Sequence, residues 1–511
     1  MTILLNNKKK IVKSFFNICK NDKIYIFFSI KKKIEQKIIK LKYNNKNEYK
    51  FDLDKAYSQF LFSRLIYHNK NFNEKLINSL AYNKTFIFNL PKDWLIEIFK
   101  SGVKVNFILS KILWIFFSIN VFLRFYIKIQ FFLFFYFFNP IKKKEIYFNE
   151  SSFYIPKKNE KTFLPDFITF LSFVINKPGQ EILDKFSFSY SYENLIKNFS
   201  IYDKLFFFIS LNFFFIQILF LGIFKNINLF SFSKEFFIYK FFKKKKNLIP
   251  EYVFYNNSNL VYRPIWTNIK NNNIENKTYL YFYSDNFIPI NYKNKFNNLD
   301  IVTGLKSHSW GKIIFWNKQQ LLWFKSITKK RFDYLISPFN YIPFEGKNFF
   351  LKKNTSKTLS VFDVHPMNVY SYSLYADPKN FYTFSCCKKF IDDIISLQNK
   401  YDFNLIIKSK LRTKNFDQFS EKYYNYLYSL KSKKIQIYDS NYSAMSIIKI
   451  SDAVVSIPFT SPTLLAYYEK KKSCYYDPKS IILDRVYKER KIKLISGKEN
   501  LDYWIYKNLI K

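Results

Sequence analysis

Residues Ser451 to Pro478, SDAVVSIPFTSPTLLAYYEKKKSCYYDP, fit few folds other than a strand, a tight loop, a helix and a second strand. Val454, Val455, Ser456 and Ile457 form a short β-branched apolar run of the kind a buried strand needs. Pro458 ends it. Ser461 suits an N-cap, and Pro462 suits the first helical position, where no N–H is required. Leu464, Leu465, Tyr467 and Tyr468 give the helix an apolar face, and Lys470-Lys471-Lys472 complements its carboxyl end. Ser473 to Tyr476 reads as the next strand, stopped by Asp477-Pro478. A helix entered directly from a strand presents unpaired N–H groups and a positive dipole end at the strand's carboxyl edge, where anions bind. A capped structural helix without a ligand satisfies the same pattern.

The alternation extends through the C-terminal third. Strand patterns fall at 358–364, 403–408, 435–438, 453–457 and 473–476. Between them, Phe390, Ile391, Ile394 and Leu397 share one helical face, and Phe416, Phe419, Tyr423, Leu427 and Leu430 share another. Residues 443–450 and 461–470 supply two more helices. Repeated strand–helix alternation predicts a parallel, doubly wound α/β sheet with its ligand beyond the strands' carboxyl ends.

Those ends carry chemistry. The first closes on Asp363 and His365, the second on Lys408, Lys410 and Arg412, the third on Asp439-Ser440-Asn441, and the fourth on Ser456 and Pro458 to Ser461. Three cations neutralise a leaving diphosphate without a metal. Ser456, Thr460 and Ser461 offer hydroxyls to phosphate or ribose. Asp363 or His365 is the candidate general base for an acceptor hydroxyl. The competing readings are a solvated charge run for the cations and a turn for His365 before Pro366. His308 and Trp310, in SHSWGK, suit core packing or loop bracing better than a cleft wall.

Other function classes lose support. With seven glycines and no phosphate-loop spacing, Walker and dinucleotide fingerprints are excluded. Three histidines provide no His-rich metal centre, and there is no Gly-x-Ser-x-Gly elbow. Cys19, Cys386, Cys387 and Cys474 form no disulfide framework and match no metal-ligand spacing with His365; buried thiols in a reducing compartment fit. Asp52-Leu53-Asp54 is an isolated Asp-x-Asp with no long buried strand before it, a weak signal for a metal-held diphosphate. The net charge of +45 invites a nucleic-acid partner, but the lysines run the whole length and no binding module is present. No nucleic acid, metal or other cofactor is expected.

Two apolar stretches mark the N-terminal half, Ile112 to Phe138 and Leu205 to Phe224. Both are long enough to cross a bilayer. However, the first contains Arg124 and Lys128, and residues 139–204 carry ten lysines, unlike a translocated loop. The flanks predict monotopic or re-entrant insertion from the cytoplasmic side, aided by lysine attraction to anionic lipid. Helices buried in a soluble domain are the alternative. The initial MTILLNNKKK has too short an apolar run for a secretory signal.

Pro458-Phe459-Thr460-Ser461, with the flanking NYSAMSIIKISD and LIIKSKLR, resembles the bacterial polysaccharide-biosynthesis proteins named for a Pro-Phe-Thr-Ser motif. His365-Pro366 and Thr460-Ser461 are more distantly similar to bacterial sialyltransferases, whose Asp/Glu-Asp-Gly motif is absent here. The resemblance implies a GT-B-like, metal-independent glycosyltransferase with two Rossmann-like domains. The expected division is a basic, aromatic-rich helical region over 1–250, an acceptor-side Rossmann-like domain over 251–357 and a nucleotide-sugar-binding domain over 358–511. The implied partners are a nucleotide sugar, a lipid-linked or saccharide acceptor, and the cytoplasmic face of the inner membrane, in capsule or O-antigen synthesis. A non-enzymatic assembly factor and a polyol-phosphate transferase share the pattern.

Overall fold

The structure, a computed structural model, describes residues 2–41, 48–67, 69–136, 144–148, 164–189, 196–197, 199–224, 226–256, 261–269, 277–282, 305–328, 331–337, 356–364, 366, 370, 373, 381–409, 421–438, 442–458, 460–482 and 492–511. It opens with helices α1 (Thr2–Lys20), α2 (Ile24–Lys40), α3 (Glu48–Phe62), α4 (Lys70–Tyr82), α5 (Lys92–Lys100) and α6 (Phe107–Tyr136). In α2 the buried residues Ile24, Phe27, Phe28, Lys31, Ile34, Glu35 and Ile38 recur at helical spacing. The apolar ones pack with Phe62, Leu76 and Ile98 in a core that also takes in Phe232, Val261 and Ile265. Asp52 and Asp54 lie within α3, their side chains outside the described residues.

The first sheet is formed by β1 (Lys144–Phe148), β2 (Phe186–Ser189), β3 (Tyr252–Asn256), β4 (Thr278–Tyr281), β5 (Lys312–Phe315) and β6 (Asp333–Ile336). Its order is β2-β1-β3-β4-β5-β6, with every pair parallel. Helices α7 (Leu164–Ile175), α8 (Gly179–Lys185), α9 (Ile201–Phe224), α10 (Asn228–Lys244) and α11 (Lys318–Thr328) connect its strands. The sheet therefore starts more than a hundred residues before the expected boundary at 250/251. Strands β1 and β2, KEIYF and FSFS, are too short to stand out against a background of lysine and phenylalanine. The apolar run Ile301 to Thr303, strand-like in sequence, lies outside the described residues.

The second sheet holds β7 (Thr358–Phe362), β8 (Asn404–Lys408), β9 (Ile435–Tyr438), β10 (Ala453–Ser456), β11 (Lys472–Asp477) and β12 (Lys493–Ser496). Five of these match the sequence reading; β12 is additional. The order β12-β11-β10-β7-β8-β9, all parallel, is the doubly wound Rossmann order. The helices are α12 (Phe384–Tyr401), α13 (Glu421–Ser429), α14 (Ala444–Ile450), α15 (Ser461–Tyr468) and α16 (Lys498–Ile505). Two Rossmann-like sheets behind an aromatic-rich helical region give the GT-B-like α/β architecture expected. One hydrophobic core runs through both sheets.

The apolar stretches become α6 and α9. Phe122, Phe125, Ile129 and Leu133 of α6, and Phe207, Leu211, Phe214 and Ile218 of α9, face the core. Opposite faces stay bare: Phe116, Phe131 and Phe134 on α6 and Phe213, Phe220 and Phe224 on α9 are each at least 63% exposed. Arg124 and Lys128 share the exposed side of α6. Asn212 accepts from Tyr126 and Gln130, and Gln217 accepts from Lys240, so these two polar residues of α9 are spent on neighbouring helices. Neither helix is the fully buried core helix of a soluble domain. Strands β1 and β2, which lie between α6 and α9 in sequence, join the same sheet as β3, which follows both. Two bilayer crossings would place β1 and β3 on opposite sides of a membrane, so this sheet is incompatible with a transmembrane hairpin.

Candidate functional site

In the second sheet the strand order reverses between β7 and β10, and ligands of such sheets sit beyond the carboxyl ends at that point. Phe362 is in register with both Lys408 and Ser456. The ladder runs slightly past the strands: Ile457 N–H donates to the Phe362 carbonyl at 3.2 Å and Asp363 N–H to the Lys408 carbonyl at 3.4 Å. Asp363, Lys408 and Ser456 thus meet at one edge. His365, Lys410, Arg412, Phe459 and Asp439-Ser440-Asn441 lie outside the described residues.

The pleat separates the three that are placed. Ser456 and Lys408 project from the same sheet face as Phe362, and Asp363, one residue on, projects from the other. Side-chain partners agree for two of them. The Ser456 hydroxyl pairs with that of Thr463 on α15. Asp363, only 5% exposed, accepts from the Tyr423 hydroxyl on α13 at 3.0 Å. Burial first, and the Asp363 charge second, push the Tyr423 phenol well above its usual range, so it stays a donor. Lys408 is half-buried.

The loop after β10 is held by its backbone. Pro458 carbonyl accepts from Tyr382 at 2.9 Å, and Thr460 carbonyl accepts from Tyr475 at 3.3 Å. The Thr460 hydroxyl donates back to Ile457 carbonyl at 3.1 Å. Thr460, with extended φ −100° and ψ 144°, is the N-cap of α15, so Ser461 takes the first helical position and Pro462 the second. The helix starts one residue earlier than a cap at Ser461 implies, because proline is tolerated anywhere in the first turn, where N–H groups lack helical partners. The Thr460 side chain accepts from no first-turn amide. That leaves first-turn N–H groups for an anion beside the half-buried Ser461.

The thiols are packing groups. Burial pushes Cys386 up to about 12 and Cys387 and Cys474 well above their usual range, and Cys387 donates to Val364 carbonyl at 3.5 Å. Among the described residues no cluster of three or more His, Cys, Asp and Glu side chains is placed to hold a metal. His308 is buried against Phe324 and Phe332, and Glu35 of α2 accepts from the adjoining Ser307 N–H at 3.2 Å. Packing and bracing explain that motif. Tyr382, Tyr423 and Tyr475, which tie down the edge, have no distinguishing signal among 41 tyrosines.

The family model for polysaccharide biosynthesis PFTS motif proteins matches residues 214–505, from within α9 to the end of α16, taking in β3 to β6 of the first sheet and the whole of the second. No curated protein gives a significant match. Among solved structures, a UDP-GlcNAc 2-epimerase from Methanocaldococcus jannaschii, in complex with UDP-GlcNAc and UDP, is similar at a TM-score of 0.37 and 13% identity, over 72% of this chain and 93% of that one. A likeness at that level adds nothing to the topology above. The family match spans more than half of the chain: it belongs to the polysaccharide biosynthesis PFTS motif proteins, and its role lies in polysaccharide biosynthesis.

Proposed function

We propose that the protein is a glycosyltransferase that moves a sugar from a nucleotide sugar to a lipid-linked or saccharide acceptor in capsule or O-antigen synthesis. The observation that carries this reading is the uncapped N-terminus of α15 at the switch point of a Rossmann-ordered sheet. The diphosphate lies on the first-turn amides and the Ser461 hydroxyl, with Lys408, Lys410 and Arg412 meeting its charge. Thr460 and Ser456 shape the loop through their internal bonds. Asp363, buried against Tyr423, suits a positioning residue. Proton acceptance falls to His365, whose ordinary range suits a base near neutral pH. The acceptor oxygen bonds to the anomeric carbon, the bond to the diphosphate breaks, and the nucleoside diphosphate leaves with that electron pair. The acceptor proton passes to His365.

The bare faces of α6 and α9 support docking in the plane of the inner membrane's cytoplasmic leaflet, beside lipid-linked acceptors. Arg124 and Lys128 then reach back to headgroups.

The test is a thermal-shift panel of nucleotide sugars on purified protein. One member is expected to raise the Tm by roughly 2 °C or more. Lys408→Ala and Ser461→Ala are expected to abolish that rise and to reduce surface glycan. A flat panel with unchanged glycan in both variants would leave the non-enzymatic assembly factor as the better reading.

A further inference from the structure

An open groove of about 1000 Å³ lies between the end of α15, the edge strand β12 and the last helix, α16. It is separate from the candidate nucleotide site: α15 has eight residues, so its two ends stand ~12 Å apart. Five lysines line the groove, Lys470, Lys471, Lys472, Lys493 and Lys507, and no carboxylate among the described residues does. Lys471 is spent on the wall, donating to the carbonyls of Lys449 at 3.0 Å and Ser451 at 2.8 Å. The other four have no ion-pair partner among the described residues.

Two features set this cluster apart from the chain's general basicity. Lys470 adopts a left-handed φ of +57° directly after the helix, a position that glycine or asparagine fills more cheaply. Lys470 in that position brings its cation to the groove. Aromatic rings are interleaved with the charges: Tyr503 is 66% exposed and Tyr468 41% exposed, with Trp504 packed between strand and helix. Flat ring faces stack on sugar rings, and ammonium groups meet acidic substituents. Tyr468 also donates to the Trp316 carbonyl, just past β5, at 3.3 Å, so the groove borders the first sheet.

We propose that this groove is a binding site for an acidic saccharide chain, holding the growing anionic glycan while the opposite end of α15 handles the nucleotide sugar. The proposal rests on the role in polysaccharide synthesis argued above. The strand β12, paired on one side only among the described residues, offers backbone groups to saccharide hydroxyls.

The test is calorimetric titration of the full chain with oligogalacturonate, its neutral methyl ester, and single-stranded DNA of equal charge. Oligogalacturonate is expected to bind at least tenfold more tightly than the ester. The triple variant Lys470→Ala/Lys493→Ala/Lys507→Ala is expected to lose at least tenfold in affinity, while the lysine-to-arginine triple keeps it. Tyr503→Ala is expected to weaken binding several-fold. Equal binding of ester and acid, an unaffected alanine triple, or DNA binding more tightly than the saccharide at the same lysines would each overturn the proposal. Nucleotide-sugar binding, measured on the same variants, is expected to be unchanged. Loss of nucleotide-sugar binding in Lys408→Ala with intact saccharide binding separates the two sites. Saccharide binding without any nucleotide-sugar binding would sink the transferase reading alone.

Discussion

Lys31 shows what a single side chain costs in this fold. It is buried on α2 with its ammonium 4.8 Å from the centre of the Phe27 ring, and burial lowers its pKa from 10.5 to about 7. Between those two values the unfolded chain holds a proton that the folded chain has released. Stability therefore rises with pH from about 7 to 10.5, and the full penalty is present below 7. Lys31→Met is expected to stabilise the protein at pH 7 by on the order of 3 kcal/mol and to flatten the slope above pH 7, as read by denaturant titrations across pH. Equal slopes in both proteins would contradict the burial. Sequence alone does not separate it from the adjoining Lys32 and Lys33, yet Lys31 is the buried one and pairs with no carboxylate among the described residues. Asp363 is similar. Its position at a strand end is legible, yet its commitment to Tyr423 comes from a helix 60 residues away in sequence.

At the scale of elements, the loop and helix around Pro458 to Ser461 were the most legible part of the chain. Strand–proline–hydroxyl–proline order leaves little freedom, and the helix start moved by only one residue. The tyrosine hydroxyls that brace the loop were not legible, because the strand and loop they belong to say nothing about which carbonyl each reaches. Tyr382→Phe removes the bond to Pro458 carbonyl and is expected to lower stability by about 1 kcal/mol, with weaker nucleotide-sugar affinity. Calorimetry with and without ligand reads both, and an unchanged Tm would show that the bond is idle. Helices α9 and α10 make a second demand. A Cβ on Gly222 would lie 2.4 Å from the Phe230 ring, which is 1% exposed. Gly222→Ala is expected to cost about 1–3 kcal/mol through overpacking, and Phe230→Leu to recover part of it. A variant as stable as the parent would mean that the helices are not so closely packed.

The whole molecule pairs two six-stranded parallel sheets, and they were unequally visible. The second follows from alternation over a continuous stretch. The first collects β1 and β2 from between long apolar helices, so its strands are separated by segments whose pattern suggests a membrane rather than a sheet. That same threading argues against two bilayer crossings, and the proposed docking in the plane of a bilayer is tested with vesicles. Vesicles of anionic and neutral lipid are expected to differ, with flotation of the protein on anionic vesicles and loss of flotation in Phe116→Asp/Phe220→Asp. Flotation unchanged in that variant would assign the exposed faces to another partner, such as a second copy of the chain. The central claim, a nucleotide-sugar site at the switch point between β7 and β10, is tested most directly by hydrogen exchange with the stabilising nucleotide sugar present and absent. Slowed exchange is expected in the first turn of α15 and just after β7, with the groove at the far end of α15 unchanged. Bound ligand that leaves the first turn of α15 exchanging at its free rate would contradict the claim.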